Sequence, residues 1–206
     1  MDANKFNSIF QQCIHDYHIK DDINQPFVNK FSDFDGLLYE KCWIDTVQWH
    51  LEDIIRKPDI DPVEALQIKR KIDKLNQKRT DLVELIDDYI YNLYKNIKPL
   101  PDARMNTETP GWAIDRLSIL NLKIYHWKEE TSRPDASDEH KQKAKQKLNI
   151  LLAQQQYLTK AINQLLYDLQ HGKAIAQTYK QMKMYNDPEL NPVLRQYHKK
   201  NSQKQF

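Results

Sequence analysis

Glycine is almost missing from this chain, with three in 206 residues. Phosphate-cradling loops, dinucleotide fingerprints and the serine-bearing elbow of hydrolases all need glycine where the backbone turns tightly or approaches a ligand, so three glycines could not build them. Cysteine is equally scarce. Cys13 and Cys42 stand alone, without the paired spacing of a disulfide framework or a zinc-thiolate site, and read as small apolar core residues. No apolar run approaches the ~20 residues of a membrane-spanning helix. No segment alternates with period two strongly enough to be a strand, and no internal repeat is visible. The first residues, Met1 to Lys5, lead into an amphipathic pattern without the basic start and apolar stretch of a signal peptide, so a cytoplasmic protein is expected.

What remains is helical patterning. A first helix over about 5–19 places Phe6, Ile9, Phe10, Cys13, Ile14 and Tyr17 along one side. After a connection containing Pro26, a second helix is expected over about 36–56, with Leu37, Leu38, Cys42, Ile44, Val47, Leu51, Ile54 and Ile55. Asp61 as cap and Pro62 in the first turn open a third helix to about 96. Thr109-Pro110 repeats that chemistry for a fourth helix over about 110–130. Ser137 or Asp138 starts a fifth to about 170, where Gly172 sits as its C-terminal cap. A sixth helix is expected over about 173–184, with turn chemistry from 185 to 192.

The third and fifth helices carry apolar seams with four-three spacing, each broken once by a polar residue. The first seam is Ile68, Ile72, Leu75, Arg79, Leu82, Ile86, Tyr89 and Leu93; the second is Ala144, Leu148, Leu151, Gln155, Leu158, Ile162, Leu165 and Leu169. The core is therefore expected to turn polar at Arg79 and Gln155, in one layer if the helix ends align. A buried arginine needs a partner, because an unpaired buried charge costs several kcal/mol by order of magnitude.

Composition, 40% hydrophobic and 29% charged, suits one helical domain, and the length is enough for one core rather than two. The expected fold is all-α: an antiparallel helical bundle of four core helices with flanking N- and C-terminal helices, one domain over residues 1–198. The net charge of +2 is uneven, since residues 173–206 carry seven Lys or Arg against Asp187 and Glu189. Residues 199–206 read as a flexible basic tail, and so modest a surplus does not point to nucleic acid.

Three places concentrate chemistry. In the second helix Asp45, Trp49, Glu52 and Arg56 share one stripe and Thr46, His50 and Asp53 the next. This reads as a pocket wall in which Glu52 or Asp53 pairs with Arg79 and His50 serves as acid, base or ligand, or else as a surface face with intrahelical pairs. The fourth helix opens with Asp115, Arg116 and Ser118, and Lys123 lies two turns on from Arg116. That end is expected to attract a phosphate or carboxylate through its unpaired N–H groups. Glu84-x-x-Asp87 in the third helix is half of the carboxylate pairing by which all-helical nucleotide pyrophosphatases hold magnesium.

Metal binding is not expected. His50 with Asp53, and His126 with Glu129, invert the Glu-x-x-His pairs of di-metal bundles, but the fifth helix offers no Asp or Glu between Asn149 and Tyr167. His15 and His18 read as interface residues, and the sequence leaves any cofactor open.

Four stretches, Trp49-His50-x-Glu52-Asp53-x-x-Arg56, Asn106 through Gly111, Asp115-Arg116-Leu117-Ser118-Ile119 and Lys183 through Pro188, resemble the signature segments of an uncharacterised bacterial family, one of the numbered domains of unknown function. The resemblance covers nearly the whole chain. It implies a cytoplasmic helical protein whose family genes often lie near those for glycosyltransferases and cell-surface polysaccharide assembly, and it supplies no catalytic residues.

The sequence thus points to a pocket lined by Trp49, His50, Glu52, Asp53, Arg79, Asp115, Arg116 and Lys123 for an anionic or sugar-phosphate ligand. The competing readings are an assembly or adaptor module that binds another protein or a second copy of itself, and a magnesium-dependent nucleotide pyrophosphatase.

Overall fold

Capping chemistry decides where the helices begin. Asp2 accepts from Asn4 N to open α1 (Ala3–His18). Asp61 accepts from Val63 N and Glu64 N, with Pro62 in the first turn, to open α3 (Pro62–Tyr94). Thr109 caps α4 (Pro110–Glu130) and Ser137 caps α5 (Asp138–Gln170), as the side-chain oxygens of such residues satisfy otherwise orphaned N–H groups. The second helix, α2 (Asp33–Ile54), starts three residues earlier than its apolar pattern suggests. The computed structural model describes residues 1–185 and 187–202, with side chains described up to 197.

The architecture is the expected all-α bundle with flanking helices, and no strand is found among the described residues. Short turns join α2 to α3 and α4 to α5, and each of these pairs packs together, as antiparallel neighbours do. The flanking α1 also lies on α2, α4 and α5. It buries Phe6, Ile9, Phe10, Cys13, Ile14 and Tyr17, each large apolar side chain contributing about 1.5–3 kcal/mol by leaving water. None of the described helices is long and apolar enough to cross a membrane.

The seam of α3 follows its expected positions through Ile86 and then drifts. Tyr89 and Leu93 are exposed, while Ile90 and Tyr94 are buried in their place. A straight helix of 3.6 residues per turn rotates away from a strict seven-residue repeat, and here the later turns follow the helix rather than the repeat.

The expected sixth helix is not where the sequence placed it. Residues 175–184 form no helix or strand, and α6 (Pro192–Ser202) follows instead. Gly172 closes α5 at φ +67°, where a Cβ would lie 2.7 Å from Lys98 O. The chain beyond it spends its polar groups on neighbours. Ile175 N bonds Arg104 O at 3.0 Å, Gln181 N bonds Glu84 at 2.9 Å and Lys183 Nζ bonds Thr80 Oγ1 at 2.5 Å. The first contact ties the segment to the loop between α3 and α4 and the other two tie it to α3, in place of the internal bonds of a helix. The basic tail expected at 199–206 falls outside the described side chains.

Candidate functional site

Where the α3 seam turns polar, two other helices answer it. Arg79 donates from Nε and Nη2 to the two oxygens of Asp115 on α4, at 2.9 and 2.5 Å. Its Nε also lies 3.3 Å from Asp45 Oδ1 on α2. One turn before Asp45, the fully buried Lys41 reaches Asp45 Oδ2 at 2.5 Å and Asp115 Oδ1 at 2.7 Å. It also bonds the Asp115 carbonyl at 3.1 Å, and Ser118 Oγ donates to Asp45 Oδ2 at 2.6 Å. Two cations thus face two carboxylates, the balance that lets ionised groups sit away from water.

The two carboxyls differ. Burial pushes Asp45 above the ordinary carboxylate range, and the neighbouring Asp115 charge adds to this against the pull of Lys41 and Arg79. Burial would raise Asp115 too, but the charges and hydrogen bonds of Lys41 and Arg79 outweigh it and hold that group below its usual value. Asp45 Oδ1 is buried and accepts no hydrogen bond, since Arg79 aims its Nε–H at Asp115.

Arg79 is 26% exposed and forms the junction of two surface grooves. The larger, about 680 Å³, runs between α4 and α5 past Asp115, Arg116, Lys123, Gln154 and Tyr157. The smaller, about 290 Å³, runs along α2 past Asp45, Gln48, Trp49, Glu52, Asp53 and Arg56. Both include Arg79 and Ile119. One groove is basic, and the other carries carboxylates with an indole.

Seven of the eight candidate residues therefore line the paired grooves. The eighth, His50, turns away toward His18, their Nε2 atoms 3.2 Å apart. Neither Glu52 nor Asp53 is the partner of Arg79: Glu52 pairs with Arg56 at 2.6 Å, one turn along its own helix. Asp45 reaches Arg79 because it lies on the buried side of α2, whereas Asp53 is exposed. Lys41 was missed, although a lysine between Leu38 and Cys42 on an apolar stripe, four residues before an aspartate, is the pattern of an inward ion pair.

The start of α4 is filled from within. Asp87 accepts from Gly111 N at 2.6 Å and from Thr109 Oγ1 at 2.5 Å, so the protein's own carboxylate takes the anion position of that helix end. Burial raises Asp87 to about 6 even though these bonds oppose it. Its neighbour in the Glu84-x-x-Asp87 pair receives Gln181 N, so the two carboxylates serve different contacts. Arg116 stays on the surface with Glu108, 2.9 Å away.

Gln155 belongs to another network. Its Nε2 donates to Asn121 Oδ1, and Asn121 Nδ2 to Asn7 Oδ1, both at 2.7 Å. The two polar breaks thus mark separate places rather than one layer. A groove of about 850 Å³ between α1 and α5 is lined by such amides, with its Arg104 paired to Asp168.

The family model described as "Protein of unknown function (DUF4254)" matches residues 35–178. The chain belongs to this family. The DUF4254 match spans Lys41, Asp45, Arg79 and Asp115, so the whole ion network and both grooves at Arg79 lie inside it. No curated protein and no solved structure matches the chain.

Proposed function

We propose that this protein binds a small, hydroxyl-bearing anion of the sugar-phosphate class in the paired grooves, acting in the cytoplasm. The observation that carries the reading is the position of Arg79, held rigidly by Asp115 where a basic groove meets an acidic one. Arg116 and Lys123 supply cations for a phosphate, and the exposed Tyr157 ring offers a face for stacking. Across the junction, the carboxylates of Glu52 and Asp53 are acceptors for hydroxyl groups. Such a mixture of fixed polar groups beside an aromatic wall is how small-molecule sites set orientation. Both cysteines are buried free thiols, as a reducing compartment favours.

Thermal shift with inorganic phosphate, hexose phosphates and nucleotide sugars tests this, because a ligand selective for the folded state stabilises it by about 2.7 kcal/mol at a hundred times its Kd. Sugar phosphates are expected to raise Tm in the wild type and to lose most of that effect in Arg116→Ala/Lys123→Ala. A flat response across the panel would refute the proposal.

The assembly reading draws on the outer face of α5, where Ile150, Tyr157 and Tyr167 are exposed. A mass measured in solution at several protein concentrations tests it: a self-associating module grows heavier as concentration rises.

A further inference from the structure

Three histidines from three helices, α1, α2 and α4, converge on one point. One ring nitrogen from each of His18, His50 and His126 lies within 4.8 Å of the others, and Nε2 of His18 and of His50 are 3.2 Å apart. Two of the rings have already committed their other nitrogen. His18 Nδ1 lies 2.6 Å from the Ile14 carbonyl and must donate to it, which leaves Nε2 with the lone pair in the neutral ring. His126 Nδ1 faces Glu129 Oε2 at 3.3 Å, and His126 Nε2 is buried with no hydrogen-bond partner. A proton shared between His18 and His50 would satisfy that pair and still leave His126 unanswered.

We propose that His18, His50 and His126 bind a divalent first-row transition ion of the zinc type through their Nε2 atoms, leaving a fourth position for water or Asp21. Tetrahedral zinc with nitrogen ligands at about 2.0–2.1 Å holds those nitrogens roughly 3.3 Å apart, close to the spacing of the His18 and His50 pair. Imidazoles alone, without thiolates, suit zinc, nickel or cobalt. The Ile14 carbonyl and the Glu129 carboxylate are the outer-shell acceptors that orient metal-binding imidazoles and fix their tautomers. Aromatic rings hold the imidazoles in place: Tyr17 stacks on His50 at 5.2 Å, Tyr125 on His18 at 4.2 Å and Trp49 on His126 at 4.8 Å. Asp21 Oδ1, 3.6 Å from His50 Nε2, stands at the rim. Trp49 joins this site to the smaller groove through its opposite role as a groove wall.

The carboxylate missing from α5 does not bear on such a site, because its ligands come from α1, α2 and α4. Only the fold brings together residues 18, 50 and 126.

Full-length protein stripped with a chelator and titrated with Zn²⁺ and Co²⁺ tests the assignment by calorimetry and visible absorption. One ion per chain is expected, with the intense visible bands of tetrahedral Co²⁺. Glu129→Gln is expected to weaken binding about 10-fold, within the ~10–100-fold range for outer-shell losses, and His126→Gln or His50→Gln at least 100-fold. His171→Gln, outside the cluster, should bind as the wild type does. X-ray absorption on the zinc-loaded wild type keeps the test decisive should a variant fail to fold, since three imidazoles must appear in the first shell. Absence of a bound ion in the wild type, undiminished binding in both histidine variants, or a first shell without three imidazoles would each overturn the proposal.

Discussion

Arg79 and Asp115 meet edge to edge, Nε and Nη2 against the two carboxylate oxygens at 2.9 and 2.5 Å. The contact ties α3 to α4 in one orientation, and the planar fork that makes it cannot be reproduced by a lysine. Lys41 reaches the same carboxylate, at Oδ1, at 2.7 Å, so the position of the guanidinium at the groove junction follows from the buried network beneath it.

Replacing Arg79 should therefore cost more than a surface ion pair would. Arg79→Ala is expected to lose about 3–5 kcal/mol, the range for breaking a buried pair and stranding its partner. Arg79→Leu should lose about 1 kcal/mol less, because it refills the volume that alanine leaves. Urea denaturation at pH 7 reads both, and equal costs would mean that packing at position 79 contributes nothing.

Lys41→Met leaves two buried carboxylates against one guanidinium, again a loss of about 3–5 kcal/mol. Adding Asp45→Asn restores the charge balance, so the double variant should recover at least ~1 kcal/mol of that loss. Additive losses in the double-mutant cycle would contradict the coupling of Lys41 to Asp45.

The ion network shows why the sequence revealed the place better than the partners. The break in the α3 seam at Arg79 is visible in one helix, as are the caps at Asp61, Thr109 and Ser137. Choosing Asp45 over Glu52 depends on how α2 is rotated about its axis, which only packing fixes. Residues 175–184 kept a plausible helical composition, yet their backbone groups found partners on Arg104 and Glu84. The histidine cluster draws on positions 18, 50 and 126, a separation beyond the reach of any spacing rule.

Asp87 should leave a mark on the pH dependence of stability. Its carboxyl is raised by burial from 3.8 to about 6, so the folded state holds the proton more tightly than the unfolded chain. The stability this contributes is fully present below about pH 4 and is lost as pH rises through about 6. In Asp87→Asn, which cannot ionise, that loss disappears. The stability of the wild type relative to the variant should fall by about 1–3 kcal/mol between pH 4 and 7, and parallel curves from urea titrations would refute the assignment.

Gly111→Ala should disturb the same junction by crowding. An added Cβ would lie 2.7 Å from Asp87 Cγ and from the Val83 carbonyl, and the backbone cannot yield as a flexible side chain does. A loss of about 1–3 kcal/mol is expected from such overpacking, read as a lower Tm. An unchanged Tm would show that α3 and α4 part easily here.

The measurement that bears most directly on the proposed function is amide chemical-shift mapping on isotope-labelled protein titrated with a hexose phosphate. The account predicts saturable shifts concentrated around Arg79, Arg116, Ile119 and Tyr157, where the two grooves meet, and their loss in Arg116→Ala/Lys123→Ala. Shifts confined to the amide-lined groove of α1 and α5, or no saturable shifts with any member of the sugar-phosphate panel, would contradict it.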